Sequence, residues 1–473
     1  MLRRRLHPLV PALVTLACTS RPAQNTDDAG TGATTGSSTG QTPTEASGST
    51  MVDPPPVICE PCDAPWKLDE RLDIGPDTDI SQYTCLTEVR GDVGVSGDLS
   101  PTQLAPLCHL RVVNGWMSIR DNTLLTDLSP FASLEKVSVL SIYGLPALTK
   151  VAGLDSLRSV LELNIGDTGA TALGDFAPDF AGITDLGLFS NPVLTDLSAM
   201  ATWGFAGSAT FGHSISIRDS PAITDLSDLS DLLAAAPDSL SVELSDMSGL
   251  TSLKGLGGAS RGRYSLSGLP QITDLQPLAN VKTLGGLSLS DIPLTTLDGL
   301  DSLQSADLGL YGLPQLASLQ GLESFQTGDL TMIDLPLLTS LAPLGAFTQS
   351  EAIVLYDLPL VTSLAGLDNL QVVDSFMIGD CVNEGRSGMT GLTDLQGLGA
   401  LTSVREFMVT NGKNLKSLAG VDKLTSVDWR LAIINNPQLP QAAFDAFVAQ
   451  VAEPEMTCFG DWDVCECIYY NPG

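Results

Sequence analysis

The spacing of apolar residues between positions 134 and 156 constrains the fold more than any other feature of the sequence. Apolar residues recur at every third position, except for one step of two between Leu140 and Ile142. Steps of three would carry an apolar stripe around the surface of a helix, and Gly144 and Pro146 would interrupt a helix. A step of two instead places both side chains on one face of a strand. The segment therefore predicts a short strand followed by an irregular return.

Copies of this unit fill most of the chain. A single unit has too few apolar side chains to offset the entropy lost on ordering it, so the units must stack on one another. The sequence therefore predicts a mainly β protein, a right-handed parallel β-helix or related solenoid of about fourteen rungs over residues 110 to 440. The units begin near residues 110, 134, 157, 183, 213, 240, 261, 281, 303, 325, 350, 370, 401 and 424.

The repeats resemble a known superfamily. Segments such as LTDLSPFASL and ITDLQPLANV, together with short strands such as LGLYG, resemble leucine-rich repeats. The resemblance is closer to the receptor L-domain type found in receptor ectodomains and bacterial surface lipoproteins. Leucine-rich repeats carry an Asn after the strand, and here Asn occurs at positions such as Asn191. Because Leu followed by Pro stands there in five units, we expect a β-helical L-domain and not a horseshoe with helices. The Leu residues are Leu145, Leu269, Leu313, Leu335 and Leu358.

The N-terminal residues are typical of an exported protein. Residues 1 to 17 combine a basic start, a short apolar run and small residues, which predicts a signal peptide and not a membrane span. The next residue, Cys18, ends a segment that resembles the lipobox of bacterial lipoproteins, although Thr15 stands where that motif usually has Leu. Residues 18 to 56 would then be a lipid anchor followed by a disordered linker rich in Thr, Gly, Ser and Pro. We expect a protein anchored at the bacterial outer membrane or cell surface, with secretion as the alternative.

The cysteines support export. Removing Cys18 from the nine leaves eight, an even number as expected when thiols are paired. We interpret residues 57 to 109 as an irregular N-terminal cap, and residues 441 to 473 as a short helix, predicted over 441 to 452, followed by a second cap. The cap residues Cys59 and Cys62 could also bind zinc, but no second such pair follows nearby. We expect two disulfides within each cap group: Cys59, Cys62, Cys85 and Cys108 in the first, and Cys381, Cys458, Cys465 and Cys467 in the second.

Charge limits the possible partners. The net charge of −32 argues against nucleic acid, because phosphate binding needs a basic surface. One position in the return segment recurs as Asp, Ser or Thr. A calcium ladder is one interpretation, but calcium needs six to eight converging oxygens, so we favour hydrogen bonding to the local backbone. The column contains Asp127, Lys150, Asp196, Asp225, Ser252, Asp274, Thr296, Ser318, Ser340, Ser363, Asp394 and Ser417.

The outward side of the strands is the best candidate for a binding surface. Its predicted residues are small or uncharged, which would confine charge to the loops. They are Ser141, Gly187, Ser216, Ser288, Gly309, Thr331, Val354, Met377 and Met408. A neighbouring column carries aromatic and aliphatic residues that could contact a ligand or could simply pack on one another at the sheet margin. These residues are Tyr143, Phe189, Tyr311, Ile333 and Tyr356.

Catalytic residues are scarce. Outside the signal peptide the only histidines are His109 and His213, and neither belongs to a recognisable nucleophile motif. We therefore expect no catalytic residues, no metal and no cofactor. The favoured function is recognition of an unidentified protein or glycan at the cell surface, with the membrane contacted only through the lipid. A polysaccharide-acting enzyme on a β-helix and a purely structural envelope component are the alternatives.

Overall fold

The computed structural model describes residues 59–174, 176–206, 212–258, 261–379, 388–451 and 454–460. The strands in these ranges form one sheet of nineteen strands, and paired strands run parallel. The strands are β1 Trp66–Leu68, β2 Leu72–Ile74, β3 Leu86–Val89, β4 Val93–Ser96, β5 Val112–Arg120, β6 Lys136–Leu145, β7 Ser159–Thr168, β8 Asp185–Phe189, β9 His213–Arg218, β10 Leu240–Ser245, β11 Arg263–Ser267, β12 Gly286–Ser290, β13 Leu308–Tyr311, β14 Leu330–Ile333, β15 Gln349–Tyr356, β16 Val372–Ile378, β17 Ser403–Thr410, β18 Ser426–Ile434 and β19 Met456–Gly460.

Helices are short and few in these ranges. The α-helices are α1 Pro101–Leu104, α2 Ser230–Ala234 and α3 Gln441–Gln450. The return segments also contain 3-10 helices at Ile80–Tyr83, Ala105–Leu107, Ser129–Phe131, Ser198–Thr202, Ser227–Leu229, Leu256–Gly258, Gln276–Leu278 and Ala342–Ala346. None of the helices in the described ranges is long and apolar enough to cross a bilayer.

The repeat predicted from the sequence is confirmed. The fourteen strands β5 to β18 match the fourteen predicted units one by one, and each strand pairs with the next. In β6, the step of two places Leu140 and Ile142 on the inward face, where both are fully buried. Inward residues of successive rungs merge into one apolar core that runs from Leu72 to Val451. The chain is a solenoid of the leucine-rich-repeat kind.

The residue type at the second position after the outward strand residues, directly after the left-handed turn residue, differs along the stack. In the middle of the solenoid it holds Leu, and these Leu side chains are buried in the core. Towards the ends it holds buried Asn, at Asn122, Asn191 and Asn436. The Asn122 amide donates to the Leu99 carbonyl at 2.8 Å, and its oxygen accepts the N–H of Leu125 at 2.9 Å. The asparagine ladder of leucine-rich repeats is therefore partly present, and it includes Asn122 and Asn436, which were not predicted, beside Asn191.

The N-terminal segment contributes more to the sheet than expected. The sequence predicts an irregular segment over residues 57 to 109, whereas β1 to β4 lie within this range and pair in parallel with β3, β4 and β5. Two disulfides hold the segment together, as expected for this group of cysteines. They join Cys59 to Cys108 and Cys62 to Cys85, with Cα–Cα distances of 5.7 and 5.5 Å.

The C-terminal segment also extends the stack. The helix α3 lies where the sequence predicts it, and Phe444 and Phe447 pack inward, Phe447 against Phe407 with ring centroids 5.8 Å apart. The strand β19 follows the helix and pairs with β18, so a strand lies beyond the helix that was expected to close the stack. Cys458 belongs to β19. Three other predicted cap cysteines, at positions 381, 465 and 467, lie outside the described residues, as do Cys18 and residues 1 to 58.

Replacing Asn122 by Leu tests the ladder. The change copies the Leu found at the same position of the next rung, but it leaves the Leu99 carbonyl and two backbone N–H groups without their partner. Each unpaired buried group costs about 1–3 kcal/mol, so we expect the free energy of unfolding to fall by at least about 2 kcal/mol. Urea denaturation would measure it. A variant as stable as the parent would show that the amide does not stabilise the fold.

Candidate binding face

The outward side chains of β5 to β18 form the strand face, which has three columns set by the strand register. The entry column lies near the start of each strand, the central column in the middle and the exit column at the end. The central column runs from Ser118 through Ser141, Asn164, Gly187, Ser216, Glu243, Ser265, Ser288, Gly309, Thr331, Val354, Met377 and Met408 to Ala432.

The expectation that charge is confined to loops is wrong for much of this face. Charged side chains lie within the strands on both sides of the middle rungs. In β5 to β11 and β15 to β18 they are Arg120, Lys136, Glu162, Asp167, Asp185, Arg218, Glu243, Arg263, Glu351, Asp374, Arg405, Glu406, Asp428 and Arg430. The three strands β12, β13 and β14 contain no charged residue. The uncharged part of the face is therefore confined to the middle of the stack and its immediate neighbours.

The exit column brings together three of the five predicted ligand-contacting residues. Tyr311 pairs in register with Ile333, and Ile333 pairs with Tyr356. The three side chains form a stripe about 10 Å long, because parallel strands lie about 4.8 Å apart. Gly309 allows the Tyr311 ring to lie flat on its own strand, since a Cβ at Gly309 would lie 2.4 Å from Tyr311 Cε2. All three stripe residues are half-buried. We call them the tyrosine stripe.

The other two predicted residues form a separate patch. Tyr143 is 51% exposed and lies against Gly166 of the next rung, where a Cβ would be 2.9 Å from Tyr143 Cδ2. Phe189 packs under the guanidinium of Arg218, whose Cζ lies 5.0 Å from the ring centroid. The exit column between this patch and the tyrosine stripe is polar, holding Arg218, Ser245, Ser267 and Ser290. The predicted column therefore exists in register but divides into two patches.

At its C-terminal end the strand face is filled. Met408, predicted as an open outward residue, is instead buried together with Ala432 and Ile434 in a second apolar cluster. Beside this cluster Trp429 lies between two guanidinium groups, 5.1 Å from Arg405 Cζ and 4.8 Å from Arg430 Cζ. Both arginines are also paired with carboxylates, Arg405 with Asp374 and Arg430 with Glu406. The basic groups at this end are thus already engaged.

Two shallow depressions lie on the same side of the rungs that carry the tyrosine stripe, the first at the entry side of the strands. One, of about 490 Å³, is bordered by Asp307, Asp329 and Glu351 and includes Val372, which is 55% exposed. The other, of about 300 Å³, lies on the strands themselves and reaches Tyr311. The first depression is not evident from the sequence, because its residues come from four successive rungs, at or just before the start of each strand. Its three carboxylates belong to three different repeat units.

The Asp, Ser and Thr column caps the turns, as favoured over a calcium ladder. Side-chain oxygens of this column accept the backbone N–H two residues further along the chain in eleven of the twelve units, all except that of Lys150. In two of the Asp residues, hydrogen bonds from the following Ser lower the pKa of the carboxyl group. These are Asp196, bonded by Ser198, and Asp225, bonded by Ser227.

Among the described residues, neither histidine hydrogen-bonds a hydroxyl group or a free thiol. The Nε2 atom of His109 lies 2.7 Å from the Glu60 carbonyl and 3.4 Å from Cys59 Sγ. That sulfur is bonded to Cys108 and so offers no thiolate, the form that ligates metals or attacks substrates. His213 is buried, with Nε2 3.1 Å from the Ala206 carbonyl. Both imidazoles therefore contact backbone carbonyls in structural positions.

Comparison with known proteins gives only distant structural similarity. No family model and no curated protein matches the chain. Among solved structures, an internalin from Listeria monocytogenes is 16% identical, covering 74% of this chain and 88% of that chain with a TM-score of 0.37. A leucine-rich-repeat protein from Leptospira interrogans is 13% identical, covering 80% of this chain and 91% of that chain with a TM-score of 0.35. Values this low carry no information about a ligand.

Replacing Asp225 by Ala and by Ser separates capping from charge. The Asp225→Ala variant loses the hydrogen bond to the Ser227 N–H, so its free energy of unfolding should fall by about 1 kcal/mol. The Asp225→Ser variant should stay close to the parent, because Ser caps the same turn at Ser318 and Ser340. Chemical denaturation at neutral pH measures both. Equal losses in the two variants would contradict turn capping.

The stability of the parent and that of the Asp225→Ser variant should depend differently on acid. The pKa of Asp225 is lower in the folded chain than in the unfolded chain, so its charge stabilises the fold above the unfolded pKa of about 4. This stabilisation disappears as the pH falls through the folded pKa. The parent should therefore lose more stability between about pH 5 and pH 3 than Asp225→Ser does. Identical pH dependence of denaturation midpoints would contradict the lowered pKa.

Proposed function

We propose that this protein is an exported, lipid-anchored recognition protein that binds a protein or glycan through the strand face and carries out no catalysis. The observation that carries the proposal is the tyrosine stripe. Its side chains are half-buried, share one register column and adjoin strands without charge. Tyr combines a rigid apolar ring with a polar hydroxyl, which suits contact with a partner that is also solvated.

The repeat subtype and the location are parts of the same proposal. Leu at the position after the strand in the central rungs supports the receptor L-domain type of repeat. The basic and apolar residues 1 to 17, followed by Cys18, support export and lipidation at a bacterial outer membrane or cell surface. A linker of residues 19 to 56 would hold the solenoid away from the membrane, where the strand face can meet a partner.

The lipid anchor can be tested by mass. Expression in a bacterium that processes lipoproteins should yield a mature chain that begins at Cys18, partitions into detergent and has the added mass of a lipid. A Cys18→Ser variant should lose both properties. Intact mass spectrometry and detergent phase separation measure them. A mature parent chain without added mass would establish simple secretion.

The binding face can be tested with a ligand screen. The full chain carrying Cys18→Ser, to keep it in solution, is screened on protein and glycan arrays. The double variant Tyr311→Ala and Tyr356→Ala should weaken binding of any ligand found by at least about tenfold, as expected for central aromatic contacts. Tyr143→Ala, which removes a ring from the separate patch, is the control.

Three results would contradict the proposal. Unchanged binding by the double variant would exclude the tyrosine stripe as the contact. Cleavage of a polysaccharide by the purified chain would establish the enzyme alternative. A chain that binds nothing on either array would favour a structural component of the envelope.

A further inference from the structure

The middle of the solenoid has an unusual charge pattern. From residue 283 to residue 385 the sequence contains no Lys, Arg or His, but thirteen Asp and Glu. This acidic block spans β12 to β16 and includes the tyrosine stripe. Among the described residues, the ion pairs that reach its carboxylates come from outside the block, from Arg263 to Asp307 and from Arg405 to Asp374. The negative charge of the block is therefore largely uncompensated.

The carboxylates of the block lie at both ends of the strands that carry the tyrosine stripe. On the entry side, Asp307, Asp329 and Glu351 surround the 490 Å³ depression. On the exit side, Asp291 and Asp334 follow directly after β12 and β14, in left-handed conformations with φ of 54° and 56°. Across β14, Asp329 and Asp334 are five residue steps apart, or about 16 Å at 3.3 Å per step. An uncharged strip about 16 Å wide thus lies between two acidic rows.

The structural roles of these carboxylates account for only part of the pattern. Asp329 accepts the backbone N–H groups of Glu351 and Ala352 at 3.0 and 2.8 Å, so it fixes the start of β15. The exposed Glu351 contributes no such bond, and Asp307 meets Arg263 at 3.4 Å with about half of its side chain exposed. Val372 is an apolar side chain left open between these charges. Local folding requires neither the charge of Glu351 nor the exposure of Val372.

The arrangement is complementary to a particular kind of partner. Carboxylates on successive rungs repel one another, and a cation placed among them relieves that repulsion. A Lys or Arg side chain can lay its aliphatic stem on an exposed apolar residue and keep its charged head among carboxylates. An anionic partner would add to the repulsion. A neutral partner would cover the acidic rows without neutralising them.

We propose that the strand face binds a protein through a segment in which Lys or Arg residues flank an aromatic or aliphatic residue. The central apolar residue packs on the tyrosine stripe. A flanking cationic side chain enters the 490 Å³ depression, where its stem contacts Val372 and its head lies between Asp307 and Glu351. This inference rests on the proposed function, because it assumes that the strand face is the contact surface, and it specifies the chemistry of the partner.

A synthetic peptide provides the probe. It has about ten residues, alternates Lys with Leu around a central Phe, and would span about 33 Å if extended, enough to cross the strip. A second peptide replaces every Lys by Glu. Fluorescence anisotropy measures binding to the full chain with Cys18→Ser. We expect the Lys peptide to bind, with an affinity that falls as salt is raised, and the Glu peptide not to bind.

Charge-matched variants separate a site from general attraction to an acidic protein. The double variant Asp307→Asn and Glu351→Gln removes two charges at the depression, and Asp155→Asn with Glu70→Gln removes two exposed charges elsewhere. Because it removes two partly exposed ion pairs with the peptide, the first variant should bind the Lys peptide about tenfold more weakly. The second should change the affinity less than about twofold. Circular dichroism checks that both remain folded.

Several outcomes would overturn the inference. Equal weakening in the two double variants would mean general electrostatic attraction only. Unchanged binding in the first variant would remove the depression from the contact. Loss of binding on adding a calcium chelator would mean a bridging cation. If the array ligand proves neutral or acidic but still depends on Tyr311 and Tyr356, the proposed function stands and this inference fails. If the tyrosine variants bind every ligand normally, both fail.

Discussion

Burial between stacked rungs is the interaction on which the whole structure depends. A rung such as residues 134 to 156 turns Leu140, Ile142 and Leu145 into a space that only the adjoining rungs can close. The parallel backbone ladder holds neighbouring rungs about 4.8 Å apart and in register. The inner positions are therefore restricted to residues that fill this space. The outward positions are left free to vary.

Stacking also repeats each outward residue position once in every rung. A residue type that recurs at one position of the unit becomes a column along the solenoid, so a local solution to a turn produces a long surface feature. The turn caps illustrate this, since Asp225 and Ser318 solve the same backbone problem but only one adds a charge. Surface chemistry along this chain is therefore decided by which of several structurally equivalent residues occupies each rung.

The sequence was sufficient to predict the strands of the repeat but not the strands at its two ends. The step of two identifies a strand wherever Leu or Ile recurs beside regular steps of three, and fourteen strands follow from it. The strands β1 and β2 have three residues each, too few to show a period. The strand β19 follows a helix whose sequence suggests the end of the stack. Disulfides and neighbouring strands, which are long-range contacts, define those elements.

The alignment of the candidate site residues on neighbouring strands could be predicted from the sequence. The exposure of their side chains to solvent could not. Tyr311, Ile333 and Tyr356 fall on consecutive rungs because the period places them there. Whether an outward residue is open depends on what lies over it, and the burial of Met408 could not be inferred from its strand. The 490 Å³ depression could not be predicted from the sequence for a related reason, because its residues meet only through the stacking of successive rungs.

The turn after each strand shows which part of the surface charge the backbone requires. That turn requires a left-handed residue, and Gly satisfies the requirement at Gly144, Gly268 and Gly312. Asp tolerates the same conformation and occupies it at Asp291 and Asp334. Since Gly would form the turn without charge, the backbone accounts for a small or short polar residue there but not for a carboxylate. Asp also occupies this turn outside the acidic block, at Asp121, Asp167, Asp219 and Asp246, so the turn alone does not distinguish the block. What distinguishes the block is the absence of Lys, Arg and His from residue 283 to residue 385, and the proposed cationic partner rests on that absence.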